Sequence, residues 1–368
     1  MNEVAEINTS TNEMASWDLP TAMTVVHCAH CGEAHLLPGE TVPAHCPYCL
    51  QGPVARQPTL LRKEPPEQVV PFAISPTAMA QVLQRWSRGV RFRPNELNPT
   101  LLVRRAYRYF IPVWLVDTRV VGVWRADVGF DYQVVSYQDR YSDVGGWRSE
   151  EVREDRIRWE PRIGRIERRY DNVAAPALED HWKLLARLGE YDLAQRESYQ
   201  PEILSGGVVR IPTLDPQAAW PEARMAIDRM AGEECRQASG GNHIRGFTIE
   251  AEYQDLHWTQ LLIPAYVTWY QEEGKVWPVL INGQTGQVSG PRLASSRKAN
   301  TTALVLGVLA VFTFLLGGIL ALLGTIFSPA AIIGGVLLVI GVLIGLTAPW
   351  PAIMAWSHNR RISLDEFL

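Results

Sequence analysis

The sequence predicts an α+β protein in three parts, and three observations support that reading. Two C-x-x-C pairs lie near the N-terminus. A long middle region alternates helical patterns with β-branched and aromatic runs. Two uncharged apolar runs lie near the C-terminus. At 368 residues the chain exceeds the usual length of one domain. Its net charge of −4 offers no global attraction for nucleic acid. Charge is segregated instead: residues 302–356 carry none, while residues 60–298 are rich in Arg, Glu and Asp. That division implies one aqueous and one lipid environment. Residues 1–23 contain acidic side chains, no Lys or Arg and no apolar run. They lack the features of a secretory signal and read as a disordered leader.

The N-terminal part spans residues 24–52. Cys28-x-x-Cys31 and Cys46-x-x-Cys49 are separated by fourteen residues. A C-x-x-C turn brings two sulfurs to one point, and two such knuckles complete a tetrahedral thiolate site of the zinc-ribbon type. Gly32 and Pro47 suit the tight turns this requires. Two disulfides would call for an export signal, and a redox pair would call for a surrounding βαβ pattern. Neither is visible, so structural Zn2+ is the expected occupant. His27, His30, His35 and His45 read as exposed polar residues, with His30 or His45 as alternative ligands. Four thiolates leave no open position for substrate water, which makes the site structural rather than catalytic. Cys235, alone on an expected helix, reads as a packed thiol.

Residues 53–70 are Pro-rich and polar and read as a linker. A middle α+β domain built on an antiparallel sheet is expected over 71–292. It opens with Ser75 as helix cap and Pro76 at the first helical position. Residues 100–130 should form two or three strands broken at Pro112. Residues 133–170 add further strands, 177–195 a helix, and 216–237 another helix. "YFIPVWLVDT" at 109–118 and "LLIPAYVTWY" at 261–270 match around Ile-Pro-x-aromatic. Each follows a helix and an extended stretch, so an internal duplication near 71–133 and 215–290 is expected. Asn282-Gly283 and Thr285-Gly286 mark a hairpin turn.

The third part is a transmembrane hairpin. Residues 302–327 and 330–356 are apolar runs joined by Ser328-Pro329. Each is long enough to cross a hydrocarbon core of about 30 Å as a helix. Gly341 and Gly345 form a small-xxx-small pair, with Gly307, Gly317, Gly318 and Gly324 along the partner helix. Trp350 and Trp356 suit the interfacial belt. Arg292, Arg297 and Lys298 on one side and Arg360 and Arg361 on the other place both termini, including the 357–368 tail, in the cytoplasm. Neither span holds an ionisable residue, so the hairpin reads as an anchor rather than an ion path.

The order of these parts resembles a family of bacterial membrane-anchored zinc-ribbon proteins. The resemblance rests on the paired cysteines, "PFAIS" followed by a helix with "RW", "FIPVWLVDT", "YQPEILSG", "LLIPAYVTWY" and "INGQTGQVSG". Members are often labelled primosomal-helicase-like, but this chain has no Walker lysine motif. The resemblance implies an inner-membrane setting and partners of the phage-shock or flotillin type in envelope stress. The leading function is therefore a non-enzymatic adaptor that recruits a protein partner to the bilayer. A second reading is nucleic-acid binding through seven arginines between 85 and 108, interleaved with aromatics. The absence of Lys and Arg from 24–50 weighs against it. A third is an enzyme with an unrecognised site. His181, His243 and His257 are scattered, no hydrolase or phosphate-loop motif occurs, and no small-molecule substrate is evident.

Overall fold

The computed structural model describes residues 23–57, 65–142, 146–323, 325, 328–360 and 362. The leader and much of the expected linker lie outside the described residues, as do Gly324, Arg361 and most of the tail. The chain is a mixed α+β protein with a large sheet, a four-cysteine cluster near its N-terminus and two apolar helical segments near its C-terminus.

The first strands are β1 (Met23–Cys28), β2 (Ala34–Pro38), β3 (Val54–Arg56) and β4 (Gln68–Val69). Helices α1 (Pro76–Trp86) and α2 (Pro99–Arg105) lead into β5 (Tyr107–Ser142) and β6 (Gly146–Pro176). Then come α3 (His181–Leu188), β7 (Glu197–Ser198), β8 (Val208–Arg210), α4 (Pro216–Ser239), β9 (His243–Glu272), β10 (Lys275–Asn282) and β11 (Val288–Ser289). Helices α5 (Ser296–Leu323), α6 (Ser328–Thr347) and α7 (Trp350–Asn359) complete the described chain. Along the sheet the order is β11-β10-β9-β5-β8-β2-β1-β3, with β6 beside β5 and β4 beside β7 and β9.

Local sequence explains the helix starts. Ser75 accepts from the Ala78 N–H at 3.2 Å, Asn98 from Thr100 at 2.9 Å and Asp215 from Ala218 at 2.7 Å. Each is an N-cap followed by proline at the first helical position. The helix expected over 177–195 is shorter: α3 stops at Leu188, and Gly189 follows with φ +77°. The break expected at Pro112 is absent. The parallel register with β8 ends at Phe110↔Val209, and the antiparallel register with β6 begins at Val113↔Pro176. Pro112 falls between the two, where those pairings ask for no N–H.

The chain divides into two compact units, and β5 and β9 each pass from one to the other. Unit 1 comprises residues 1–112, 182–211 and 262–368. One of its cores joins Met23, Val25 and Leu36 to Val69, Phe110, Val209 and Leu262. A second joins Met79, Leu83 and Leu102 to Tyr270, Val279 and Ile281. The expected turn after β10 is present. Asn282 is buried, its side-chain oxygen accepts from the Gln284 and Thr285 N–H groups, and its amide donates to Leu188 O at 3.0 Å.

Helix α5 (28 residues) and the stretch Pro329–Asn359 (31 residues) are long and apolar enough to cross a membrane by length and composition. Only 11% of the most apolar window in each is buried, whereas a core helix of a soluble protein would be mostly covered. The two segments pack antiparallel where their glycines meet. A Cβ on Gly334 would lie 2.3 Å from Ala321 N, and one on Gly341 2.9 Å from Phe314 N. Gly317 is equally tight, while Gly307 and Gly318 meet nothing within 4 Å. Gly334→Leu is therefore expected to lower helix-pair stability by about 1–3 kcal/mol through overpacking. Gly318→Leu should leave it unchanged. SDS-induced unfolding of the purified chain checks both.

Unit 2 comprises residues 113–181 and 212–261. On α4, Ala219, Ala223, Ile227, Ala231 and Cys235 recur at four-residue spacing and are all buried. They pack with Trp114, Val116, Val120, Trp124 and Val128 of β5. Cys235 is thus a packed thiol, and burial raises its pKa. Strands β5 and β6 form one long hairpin, in register from Val113↔Pro176 to Ser142↔Gly146 with one irregularity near Val116. Strand β9 starts at His243, whose ring meets Asp131 at 2.7 Å. From Tyr132 to Ile157 no described residue is buried. One strand of this arm, from Tyr132 to Ser142, extends roughly 33 Å at the usual rise.

Candidate metal centre

The cysteines are brought together by two knuckles of matching construction. In the first, Gly32 N donates to Cys28 O at 3.0 Å; in the second, Leu50 N donates to Cys46 O at 3.0 Å. Both residues that end these turns have positive φ, +74° at Gly32 and +59° at Leu50. The N–H two residues after each leading cysteine points at its sulfur, from His30 to Cys28 and from Tyr48 to Cys46, each at 3.4 Å. Gly52 closes the site, since a Cβ there would lie 2.4 Å from His30 Cβ and 2.9 Å from Cys28 Sγ.

The four sulfurs all lie within 4.8 Å of one another. The closest pairs cross between knuckles, Cys28–Cys49 at 3.7 Å and Cys31–Cys46 at 3.8 Å. A tetrahedron with metal–sulfur distances of about 2.3 Å has edges of about 3.8 Å. The donor set therefore fits a metal ion of that size, and all four cysteines are free thiols rather than disulfides. Cys28, Cys46 and Cys49 are buried and Cys31 is half-buried. Hydrogen bonds from Cys31 and Cys46 hold the Cys49 thiol far below its ordinary pKa, and the bonds that Cys31 makes to Cys46 and Cys49 push its own up. Deprotonated together, the four would need a bound cation for neutralisation.

His35 departs from the sequence expectation of an exposed polar residue. It is fully buried on β2, with Nε2 at 3.4 Å from Cys46 Sγ and Nδ1 at 3.3 Å from Tyr109 OH. Burial, followed by the Arg210 charge, lowers its pKa to about 3. Arg210 itself is fully buried and forms an ion pair with Glu33, Nε to Oε2 at 2.8 Å. Its guanidinium also lies 4.7 Å from the centre of the Tyr48 ring. Tyr48 stacks on Tyr109 at 5.9 Å, and Tyr107 OH donates to Pro47 O. Gln51 donates to Val276 O at 2.7 Å.

These contacts seat the second knuckle on the sheet. β2 pairs with β8 through His35↔Arg210 and Leu36↔Val209. The sequence reading took residues 53–70 as a linker; β3 and β4 lie within that stretch, and the strands beside the cluster share a core of unit 1 with Phe110, Val209 and Leu262. His27 is half-buried, and His30 and His45 are exposed. None of these three belongs to the sulfur cluster. His181 is buried, which lowers its pKa to about 4; His243 meets Asp131, and His257 is exposed. No protein-family model, curated protein or solved structure matches this chain.

Proposed function

We propose that the chain is a non-enzymatic adaptor anchored in the cytoplasmic membrane. Residues 24–52 form a zinc ribbon holding structural Zn2+, both termini are cytosolic, and unit 2 presents the β5–β6 arm to a protein partner. The observation that carries this reading is the character of the arm. Val135, Tyr137, Tyr141 and Trp147 are exposed at 49%, 70%, 60% and 72%. The register sets Tyr141 opposite Trp147, their rings 5.5 Å apart. Positions 135, 137 and 141 alternate with the pleat, so all four side chains share one face. An exposed aromatic face of this kind is the usual mark of a protein-interaction surface.

Of the seven arginines that prompted a nucleic-acid reading, Arg105 and Arg108 are engaged in other ways. Arg105 pairs with Glu96 at 3.0 Å and lies 4.0 Å from the Trp269 ring centre. Arg108 covers Phe72 and Phe110. On β6, Arg153, Arg156 and Arg162 pair with Glu151, Glu154 and Glu160. The resemblance to bacterial membrane-anchored zinc-ribbon proteins supplies the proposed setting of envelope stress. An internal duplication belongs to the same proposal, with Ile111-Pro112 in β5 and Ile263-Pro264 in β9 as its matching residues.

A photo-crosslinking residue at Tyr141 in the full membrane-anchored chain tests the adaptor role. The expected result is one specific protein adduct whose affinity falls about thirtyfold in Trp147→Ser, the loss of one hot-spot aromatic. The adduct should persist in Arg169→Gln, which lies outside the aromatic face. Absence of any protein adduct, or equal adducts in both variants, would remove the arm as the docking element.

A further inference from the structure

The arginine-rich stretch before β5 packs at the ends of the apolar helical segments. Phe92 sits in the left-handed region at φ +54°, a strained conformation for an aromatic residue. Its carbonyl accepts from Ser295 N at 2.7 Å, and its ring packs with Ala294, Ala299 and Ala355. The loop from Arg88 to Arg93 is thereby held against α5 and α7. Beside it lies a cavity of about 370 Å3, lined by Gly89, Arg91, Phe92, Met354, Ser357 and His358 among others.

The charges around this cavity are unlike those of the arm. Among the described residues no carboxylate pairs with Arg88, Arg91, Arg93, Arg292, Arg297 or Lys298, whereas the β6 arginines have acidic neighbours. Among the described residues, the Arg91 guanidinium meets the Met354 thioether, at 3.5 Å. A thioether is a weak acceptor for a five-donor fork that matches phosphate oxygens. Lys298 spends one N–H on Arg93 O at 2.7 Å, and His358 meets Arg292 O at 2.7 Å. Both interactions tie the basic loop and helix ends together.

The apolar surface points to which phosphate this is. Exposed Leu304, Val305 and Val308 on α5, and Ile353 and Trp356 on α7, follow the cations within about three turns. Arg360 lies 5.2 Å from the Trp356 ring centre. Cations, then tryptophan, then bare aliphatic surface is the order met on passing from headgroups into hydrocarbon. A free phosphate would use the charges and leave the apolar border idle.

We infer that the cavity beside Arg91 binds the phosphate of an anionic phospholipid, with the neighbouring cations steering the headgroup and α5 and α7 receiving the acyl chains. This rests on reading those helices as membrane-spanning. The test is native mass spectrometry of the full chain in detergent with phosphatidylglycerol or phosphatidylcholine added. Wild type should retain phosphatidylglycerol preferentially, Arg91→Gln should weaken that retention about fivefold, and Arg153→Gln should not change it. Equal retention of the two lipids, or an unchanged Arg91→Gln variant, would overturn the inference. Displacement of the lipid by equimolar inorganic phosphate would also overturn it, because the occupant would then be a free anion. A chain that needs no detergent to leave the membrane fraction would defeat the membrane reading itself.

Discussion

Cys46→Ala is expected to leave the purified chain without zinc and to unfold unit 1 rather than a detached N-terminal module. Its thiol is buried, 3.8 Å from Cys31 Sγ and 3.4 Å from His35. Removing it takes one of four charges from the donor set and leaves the others without a closed shell. Structural zinc sites contribute on the order of 10 kcal/mol to folding, as much as a typical domain's whole stability. The strands beside the cluster share a core with Phe110, Val209 and Leu262, so the loss reaches the sheet. Elemental analysis should fall from about one zinc per chain to none, and thermal unfolding should lose its main transition. Cys235→Ala, in the separate core of unit 2, should keep the metal. Full zinc content in Cys46→Ala would show that the cluster is not the binding site.

The second large effect is expected at Glu33. Its carboxylate is the partner of Arg210, whose side chain is fully buried while Glu33 is 15% exposed. Glu33→Ala leaves a guanidinium in the interior without its counter-charge, which costs about 3–5 kcal/mol. The double variant Glu33→Leu with Arg210→Met removes both charges and should recover most of that loss, because a buried pair is often replaceable by apolar side chains. Denaturant unfolding of the three proteins checks this. Equal destabilisation of the single and double variants would mean that the pair acts through geometry at the knuckle rather than through charge.

What the sequence made legible was short-range. The cysteine spacing located the cluster because each knuckle is closed by hydrogen bonds over four residues. Ser75-Pro76 and Asp215-Pro216 announced their helices because capping is local. The apolar runs identified α5 and α6–α7 from composition. The rest depends on partners far apart in the chain. Arg210 and Glu33 are separated by 177 residues, and nothing near either position announces that both lie inside. His35 looked like one more polar residue of a histidine-rich stretch, and only its register opposite Arg210 buries it. Pro112 argued for a break because local propensity cannot see that β5 changes partners there. The basic stretch 85–108 looked uniform; the fold sends Arg105 and Arg108 onto aromatic rings and places Arg91 beside α7.

Hydrogen–deuterium exchange of the detergent-solubilised chain, with zinc and after chelation, tests most directly whether the cysteine cluster is a clasp of unit 1. The expected result is loss of protection in β1 and β2 that continues into β8 at 208–210 and into β5 at 107–112, while α4 keeps its protection. Exchange that rises only between residues 28 and 52, with β8 unchanged, would contradict the account and make the cluster an independent module.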